Sequence, residues 1–279
     1  MDKYNIEEKR INIIGAGNMS YAIVSGLINS NYKKDLITVC APSTENRNNI
    51  TKLFGIKNSS SNIYYSDQAD VLILAVKPQS IVSVCHDLNK INLSKKIVIS
   101  LLAGISTNIL INLLKQNNIN IIRVMPNIAI AVNYGIIAIY AISNDINSIN
   151  FTKNLFSKMG IIYQLNNEND IDIFTVIVGS SPAYFLFFME EMQKKIESMG
   201  VNQCDAYNII INTINGIIHL SKLNNHNTFN KLRELISSKK GITELAISVF
   251  KKENISSIIA NAIDVSMNRI KNLKNINTF

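Results

Sequence analysis

At 279 residues, 47% hydrophobic and 17% charged, the chain is long enough for one large domain or for two smaller ones with separate cores. Cys40, Cys85 and Cys204 are too few and too scattered for a disulfide framework and suit a reducing compartment, and His86, His219 and His226 stand at no metal-ligand spacing with them, so no metal site is expected. The net charge of +8 comes from dispersed rather than clustered lysines, which argues against a nucleic-acid partner and leaves either an anionic small molecule or a plain solvated surface.

Residues 1–10 are charged and lack an apolar core, so they read as neither a signal nor a transit peptide. A short β-branched run at 11–14 reads as a buried strand. It breaks into Gly15-Ala16-Gly17-Asn18-Met19-Ser20, and from Met19 the apolar spacing turns helical through Ala22, Ile23, Gly26 and Leu27. Strand, glycine turn and helix form the context of a dinucleotide-binding motif. Gly15 permits the tight turn, Gly17 lets a pyrophosphate approach the backbone, and the new helix offers free N–H groups. Ser20 replaces the usual third glycine or alanine and is small enough for close helix–strand packing. An ordinary βα turn with two glycines is the competing reading.

The second strand, at 36–40, runs into Ala41-Pro42-Ser43-Thr44-Glu45-Asn46-Arg47. An NAD-selective fold places a carboxylate at this strand tip to bind the ribose hydroxyls. None sits here, so Ser43, Thr44 and Arg47 are candidate contacts for a 2′-phosphate, which favours NADPH while leaving NADH open. Glu45 is close enough to return towards the ribose, and Ser43 or Thr44 also suits a helix cap with Arg47 in solvent. A helix at 45–54 ends at Gly55. Further strands are expected at 71–76, 97–102, 121–125, 135–141 and 161–165. Helices are expected at 78–88, after a cap at Ser106 or Thr107, and at 146–159. Alternating strands and helices predict a doubly wound α/β domain over 1–165.

From residue 166 the pattern changes to helices alone, at 170–199, 203–223, 228–236, 242–250 and 255–270, so the second domain, 166–279, is expected to be all-α. Its first helix is apolar all round over 173–189. That window is a little short for a membrane span and is interrupted by Gly179-Ser180-Ser181-Pro182, so a subunit interface is expected and a membrane is not.

Five stretches in order carry a resemblance: Ile14-Gly15-Ala16-Gly17-Asn18-Met19, Leu74-Ala75-Val76-Lys77-Pro78-Gln79, Arg123-Val124-Met125-Pro126-Asn127, Gly179-Ser180-Ser181-Pro182-Ala183-Tyr184 and Leu232-Arg233-Glu234-Leu235-Ile236-Ser237-Ser238. Over about residues 11–272 the chain resembles the pyrroline-5-carboxylate reductase family. The resemblance implies NAD(P)H-dependent reduction of 1-pyrroline-5-carboxylate to L-proline, the last step of proline biosynthesis. It also implies a Rossmann-type NAD(P)-binding domain, an all-helical dimerisation and substrate domain, a homodimer often built into a decamer, and a cytoplasmic location. The family's cofactor contacts carry over to Ile14, Gly15, Ala16, Gly17, Asn18, Met19, Asn62, Ala75, Val76, Lys77, Pro78, Leu101, Leu102 and Ala103. Its substrate contacts carry over to Glu168, Ser238, Gly241, Ile242 and Thr243. Two departures stand out. Gly179-Ser180-Ser181-Pro182 replaces the usual Gly-Ser-Gly-Pro, and Ser238-Lys239-Lys240-Gly241-Ile242-Thr243 replaces Ser-Pro-Gly-Gly-(Thr/Ala)-Thr.

The implied chemistry asks little of side chains, because a protonated cyclic imine is already electrophilic and the cofactor supplies hydride. Thr243, just inside a helix starting after Gly241, is a candidate to hydrogen-bond the ring nitrogen or to serve as a cap. Ser238 shares that ambiguity. Glu168 lies in the polar run Asn166-Asn167-Glu168-Asn169 and could equally be solvated. Lysine at 240 either takes a left-handed conformation, with the two charges drawing in an anionic substrate, or sits in a looser, solvated loop. A β-hydroxyacid dehydrogenase shares the layout but needs a catalytic lysine soon after its second-domain glycine motif. Here Ser-Ser-Pro-Ala-Tyr follows Gly179, and Lys194 comes much later. A non-catalytic NADP-binding regulator is the remaining alternative.

Overall fold

The chain enters its fold with β1 (Ile11–Ile14), α1 (Asn18–Asn29), β2 (Ile37–Cys40), α2 (Thr44–Phe54), a short β3 (Lys57–Ser59), α3 (Tyr64–Gln68) and β4 (Val71–Leu74). Next come α4 (Ile81–Leu88), β5 (Ile97–Ser100), α5 (Thr107–Leu114), β6 (Asn120–Pro126), β7 (Gly135–Ala141), α6 (Ile146–Ser157) and β8 (Gly160–Gln164). This computed structural model describes residues 9–142, 145–223, 228–238 and 240–276, with backbone alone for 275 and 276. Residues 1–8 of the charged N-terminal flank, His226 and Lys239, each named in an expectation above, lie outside the described residues.

All eight strands join one sheet in the order β3-β2-β1-β4-β5-β6-β7-β8, parallel throughout except for the antiparallel pair β6–β7. The first six strands have Rossmann order, and the order reverses between β1 and β4. Apolar runs such as Val71-Leu72-Ile73-Leu74 make such strands because helices cover both faces. Successive side chains then serve opposite cores. Ile13, Val71, Ile73 and Ile99 pack with Ile23 and Leu27 of α1 on one face. Ile14, Leu72, Leu74 and Val98 pack with Ile81, Leu88 and Leu110 on the other. Among the buried polar residues of the strands, Asn12 is fully buried. Its side chain donates to Ser66 Oγ at 2.8 Å and accepts from Thr38 Oγ1 at 2.8 Å.

Two elements were not expected. β3 is a three-residue edge strand, Lys57-Asn58-Ser59, with no apolar signal, and α3 is a single short helix in Tyr-Tyr-Ser-Asp-Gln.

The helical part comprises α7 (Asp170–Phe174), a π-helical stretch at Thr175–Ser180, α8 (Ser181–Ser198), α9 (Gln203–Leu223), α10 (Phe229–Ile236), α11 (Ile242–Lys252) and α12 (Ile255–Ile276). Contrary to the interruption read from sequence, the glycine, serines and proline at 179–182 leave the chain helical. The chain stays helical over Asp170–Ser198, 29 residues, which by length and composition alone is enough to cross a membrane. The widened π turn lies directly before Pro182, whose missing N–H denies one carbonyl in the preceding turn its partner. Contacts divide the chain into two compact units: Ser181–Ser266, and the described residues up to 180 together with 267–276. In the Ser181–Ser266 unit the buried hydrophobics among the described residues are Ala206, Ile210 and Leu232, and α8 buries no residue.

Candidate active site

The turn after β1 sits where parallel sheets of this order take ligands. Gly15 has φ +119°, and a side-chain carbon there would lie 2.4 Å from the Ala75 carbonyl oxygen, so only glycine fits between the ends of β1 and β4. Its N–H donates to Cys40 O at 2.7 Å, and Ala75 N–H donates to Ile14 O at 2.8 Å, which ties the three turns at this edge together. Gly17 is the N-cap of α1, and a side-chain carbon there would meet nothing within 4 Å. No side chain caps α1 and no acidic residue occupies its first turn, so among the described residues no side chain takes up its leading N–H groups. Ser20 is buried against the sheet as expected, with its Oγ lacking a hydrogen-bond partner among the described residues.

At the tip of β2, Ser43 caps α2 by accepting from Asn46 N–H at 3.4 Å, and both Ser43 and Thr44 are exposed. Arg47 differs from expectation. It is 8% exposed, and its guanidinium donates to the carbonyls of Ala41 and Pro42, to Thr44 Oγ1 at 3.3 Å and to Asn58 Oδ1 at 3.4 Å. With all but one of its N–H donors engaged, Arg47 braces the loop that presents Ser43 and Thr44. Those two hydroxyls accept from the protein and keep their own hydrogens for a ligand. Burial pushes the neighbouring Cys40 thiol up to about 11 against the opposing pull of Asn12 and Arg47, so it is no nucleophile.

Ala75, Val76, Lys77 and Pro78 form the turn after β4, and Leu101, Leu102 and Ala103 the turn after β5, whose Leu101 N–H donates to Leu74 O at 3.1 Å. Asn62 is half-buried and donates to Asp87 Oδ2 at 3.2 Å. Burial alone would raise the Asp87 carboxyl, but hydrogen bonds from Lys90 and Asn62 outweigh it and hold the group below its usual value.

Glu168 is not solvated. Its Oε1 accepts from Thr107 N–H at 2.7 Å and pairs with Arg123 at 3.0 Å, and its Oε2 accepts from Thr107 Oγ1 at 2.9 Å. Arg123, 1% exposed, also donates to Leu102 O at 3.2 Å, so one buried ion pair links β6, the β5 turn, the start of α5 and the segment before α7. The sequence marks Arg123 only as part of the stretch Arg123-Val124-Met125-Pro126-Asn127. Its signal was a lone charge inside the apolar run Ile121-Ile122-Arg123-Val124-Met125. A second ion pair that sequence did not reveal joins Asp172 to Lys274 at 2.5 Å, beside Leu273, which approaches Gly104 after β5.

In the helical unit, Ser238, Lys240 and Gly241 lead into α11. Gly241 N–H donates to Ser238 O at 3.0 Å, and Lys240 has φ +59°. Ile242 and Thr243 are exposed in the first turn of α11, and the Thr243 hydroxyl has no partner among the described residues, so it is not the cap. Among the described residues no three of His, Cys, Asp and Glu cluster as a metal would require. A cleft of about 710 Å³ opens at the opposite sheet edge, beside Asp70, Ile97 and Asn120, and contains none of the expected site residues.

These features fit a dinucleotide: an open Gly17, an uncapped α1 and donor hydroxyls at the β2 tip. A family model described as pyrroline-5-carboxylate reductase dimerisation matches residues 168–273, and one described as NADP oxidoreductase coenzyme F420-dependent matches residues 10–104. A pyrroline-5-carboxylate reductase of Vibrio alginolyticus is 34% identical over 97% of this chain and 100% of its own. The chain belongs to the pyrroline-5-carboxylate reductase family. Its fold agrees with the solved pyrroline-5-carboxylate reductase of Coxiella burnetii, at TM-score 0.80, 30% identity and coverage of 96% and 99% of the two chains. It agrees also with a pyrroline carboxylate reductase of Plasmodium falciparum solved with NADP bound, at TM-score 0.86, 27% identity and the same coverage. As a member of the pyrroline-5-carboxylate reductase family it departs from β-hydroxyacid dehydrogenases at the second-domain motif. Lys194 sits far along α8, paired with Glu190 and Glu191 at 2.7 Å each, which keep it protonated and unsuited as a base.

Proposed function

We infer that this chain is a pyrroline-5-carboxylate reductase, which reduces 1-pyrroline-5-carboxylate to L-proline with NAD(P)H in the last step of proline biosynthesis. The observation that carries this is similarity along the whole length to enzymes of that name. Bound at the glycine turn, the nicotinamide cofactor supplies the hydride. The chain's own residues bind, orient and hold a proton.

The cofactor contacts in this reading are Ile14, Gly15, Ala16, Gly17, Asn18 and Met19, with Asn62 and the turns at 75–78 and 101–103. NADPH serves at least as well as NADH, because the β2 tip offers the hydroxyls of Ser43 and Thr44, in a loop braced by Arg47, and its nearest carboxylate, Glu45, follows them in the first turn of α2. The substrate lies against Ser238, Gly241, Ile242 and Thr243. Thr243 is placed at the ring nitrogen, where its free hydroxyl holds the proton that the amine retains as hydride adds to carbon. N–H groups at the start of α11 meet the substrate carboxylate. Glu168 keeps spare acceptor capacity on Oε2 for the substrate side.

In this reading residues 1–165 bind the cofactor and 166–279 serve dimerisation and substrate. The dimer is the unit from which a decamer is built in the cytoplasm, without nucleic acid or membrane. The apolar run Asp170–Ser198 faces a second copy rather than lipid, which the match of a dimerisation family to 168–273 supports.

Oxidation of NADPH and NADH with pyrroline-5-carboxylate as acceptor tests the assignment, with NADPH expected to serve at least as well. Thr243→Ala is expected to lower kcat on the order of 100-fold. Wild-type turnover in that variant would remove the substrate from this loop.

A further inference from the structure

The turn that enters α11 contains a conformation its sequence does not favour. Lys240 has φ +59°, the left-handed region, where a side chain costs about fivefold in population relative to glycine. The turn leaves little room to relax. Gly241 N–H is bonded to Ser238 O at 3.0 Å, and a side-chain carbon on Gly241 would lie 2.5 Å from Ser238 Oγ. The strained residue has one specific partner: its N–H donates to the Glu244 carboxylate, one helical turn further on. That carboxylate also stands at the positive end of α11, where no side chain caps Gly241.

We propose that Glu244 is a positioning residue for the substrate loop: it holds Lys240 in a left-handed turn that a glycine, the usual residue here in the resembled pattern, would take without help, and so keeps the start of α11 in place for the substrate. A charge-assisted bond from a carboxylate to a backbone N–H is strong enough to offset the conformational cost at Lys240. Glu244 therefore compensates for Lys240 replacing glycine, and its importance depends on that lysine. This inference rests on the placement of the substrate at Ser238–Thr243 for its kinetic consequence, but not for its structural one.

The test is a double-mutant cycle on the full-length enzyme, read in two ways. E244A is expected to raise KM for pyrroline-5-carboxylate about fivefold, with kcat and KM for NADPH unchanged. It is also expected to speed hydrogen exchange at the Gly241 amide. In K240G/E244A both readouts are expected to return to within about twofold of wild type, because glycine needs no brace. Unchanged exchange in E244A, or a double variant as impaired as E244A, overturns the proposal. If exchange follows the cycle but no pyrroline-5-carboxylate is reduced even by wild type, the functional reading fails and the role of Glu244 in the turn stands.

Discussion

Gly15 and Gly17 are two residues apart and their replacement has opposite consequences. At Gly15 both the positive φ and the carbonyl of Ala75 oppose any side chain, so Gly15→Ala is expected to lower the melting temperature by several degrees, equivalent to about 2 kcal/mol. At Gly17 nothing is displaced within the protein. Gly17→Ala is expected to leave the melting temperature unchanged and to weaken NADPH at least about tenfold, because the added methyl lies where the pyrophosphate must approach. Calorimetry with and without NADPH separates the two; equal destabilisation by both would contradict this division. Arg47 and Thr44 divide in the same manner. Arg47→Ala leaves the Ala41 and Pro42 carbonyls without their donor and is expected to cost about 2 kcal/mol of stability, read by thermal melting. Thr44→Val keeps the fold and is expected to raise KM for NADPH more than for NADH, and equal effects on both cofactors would remove Thr44 from the phosphate site.

At the scale of elements, the buried pair Arg123–Glu168 holds the β5 turn to the start of α5. Arg123→Met takes the cation from a Glu168 carboxylate that is 19% exposed and is expected to cost about 2 kcal/mol, with a matching fall in midpoint on urea unfolding. A shift under about 0.5 kcal/mol would mean that Thr107 alone satisfies Glu168. The elements that sequence disclosed are those whose burial leaves a period. β4 is a continuous apolar run, and β1 and β5 are apolar but for Asn12 and Ser100, because both faces are covered, and α1 announces itself after a glycine turn. β3 left no trace, since a three-residue edge strand of Lys, Asn and Ser is specified by pairing with β2 and not by its side chains. The glycine turn was legible because local backbone geometry requires glycine. The roles of Arg47 and Glu168 were not, since their partners include Asn58, Thr107 and Arg123, brought near only by the fold.

The whole molecule is a homo-oligomer, and the helical unit shows why. Phe185, Leu186, Phe187 and Phe188 are all exposed in the single chain and, at 100° per residue, point around most of the circumference of α8. Within the chain α9 and Phe250 meet part of that circumference, which leaves the rest to be covered by a second copy. Phe187→Glu is expected to yield dissociated or unfolded protein, since a charge buried there unpaired costs several kcal/mol. A stable, active monomer by light scattering would contradict the arrangement. The ion pair between Asp172 and Lys274 has a different consequence, for the nascent chain. Asp172 is 8% exposed, and its partner Lys274 lies in the segment 267–276, which emerges from the ribosome last among the described residues. For on the order of ten seconds of elongation the cofactor-binding unit is present without its final strip, with a nearly buried carboxylate awaiting its cation and Gly104 without Leu273 against it. The strip at 267–276 thus completes a unit whose other described residues are all made before Ser181.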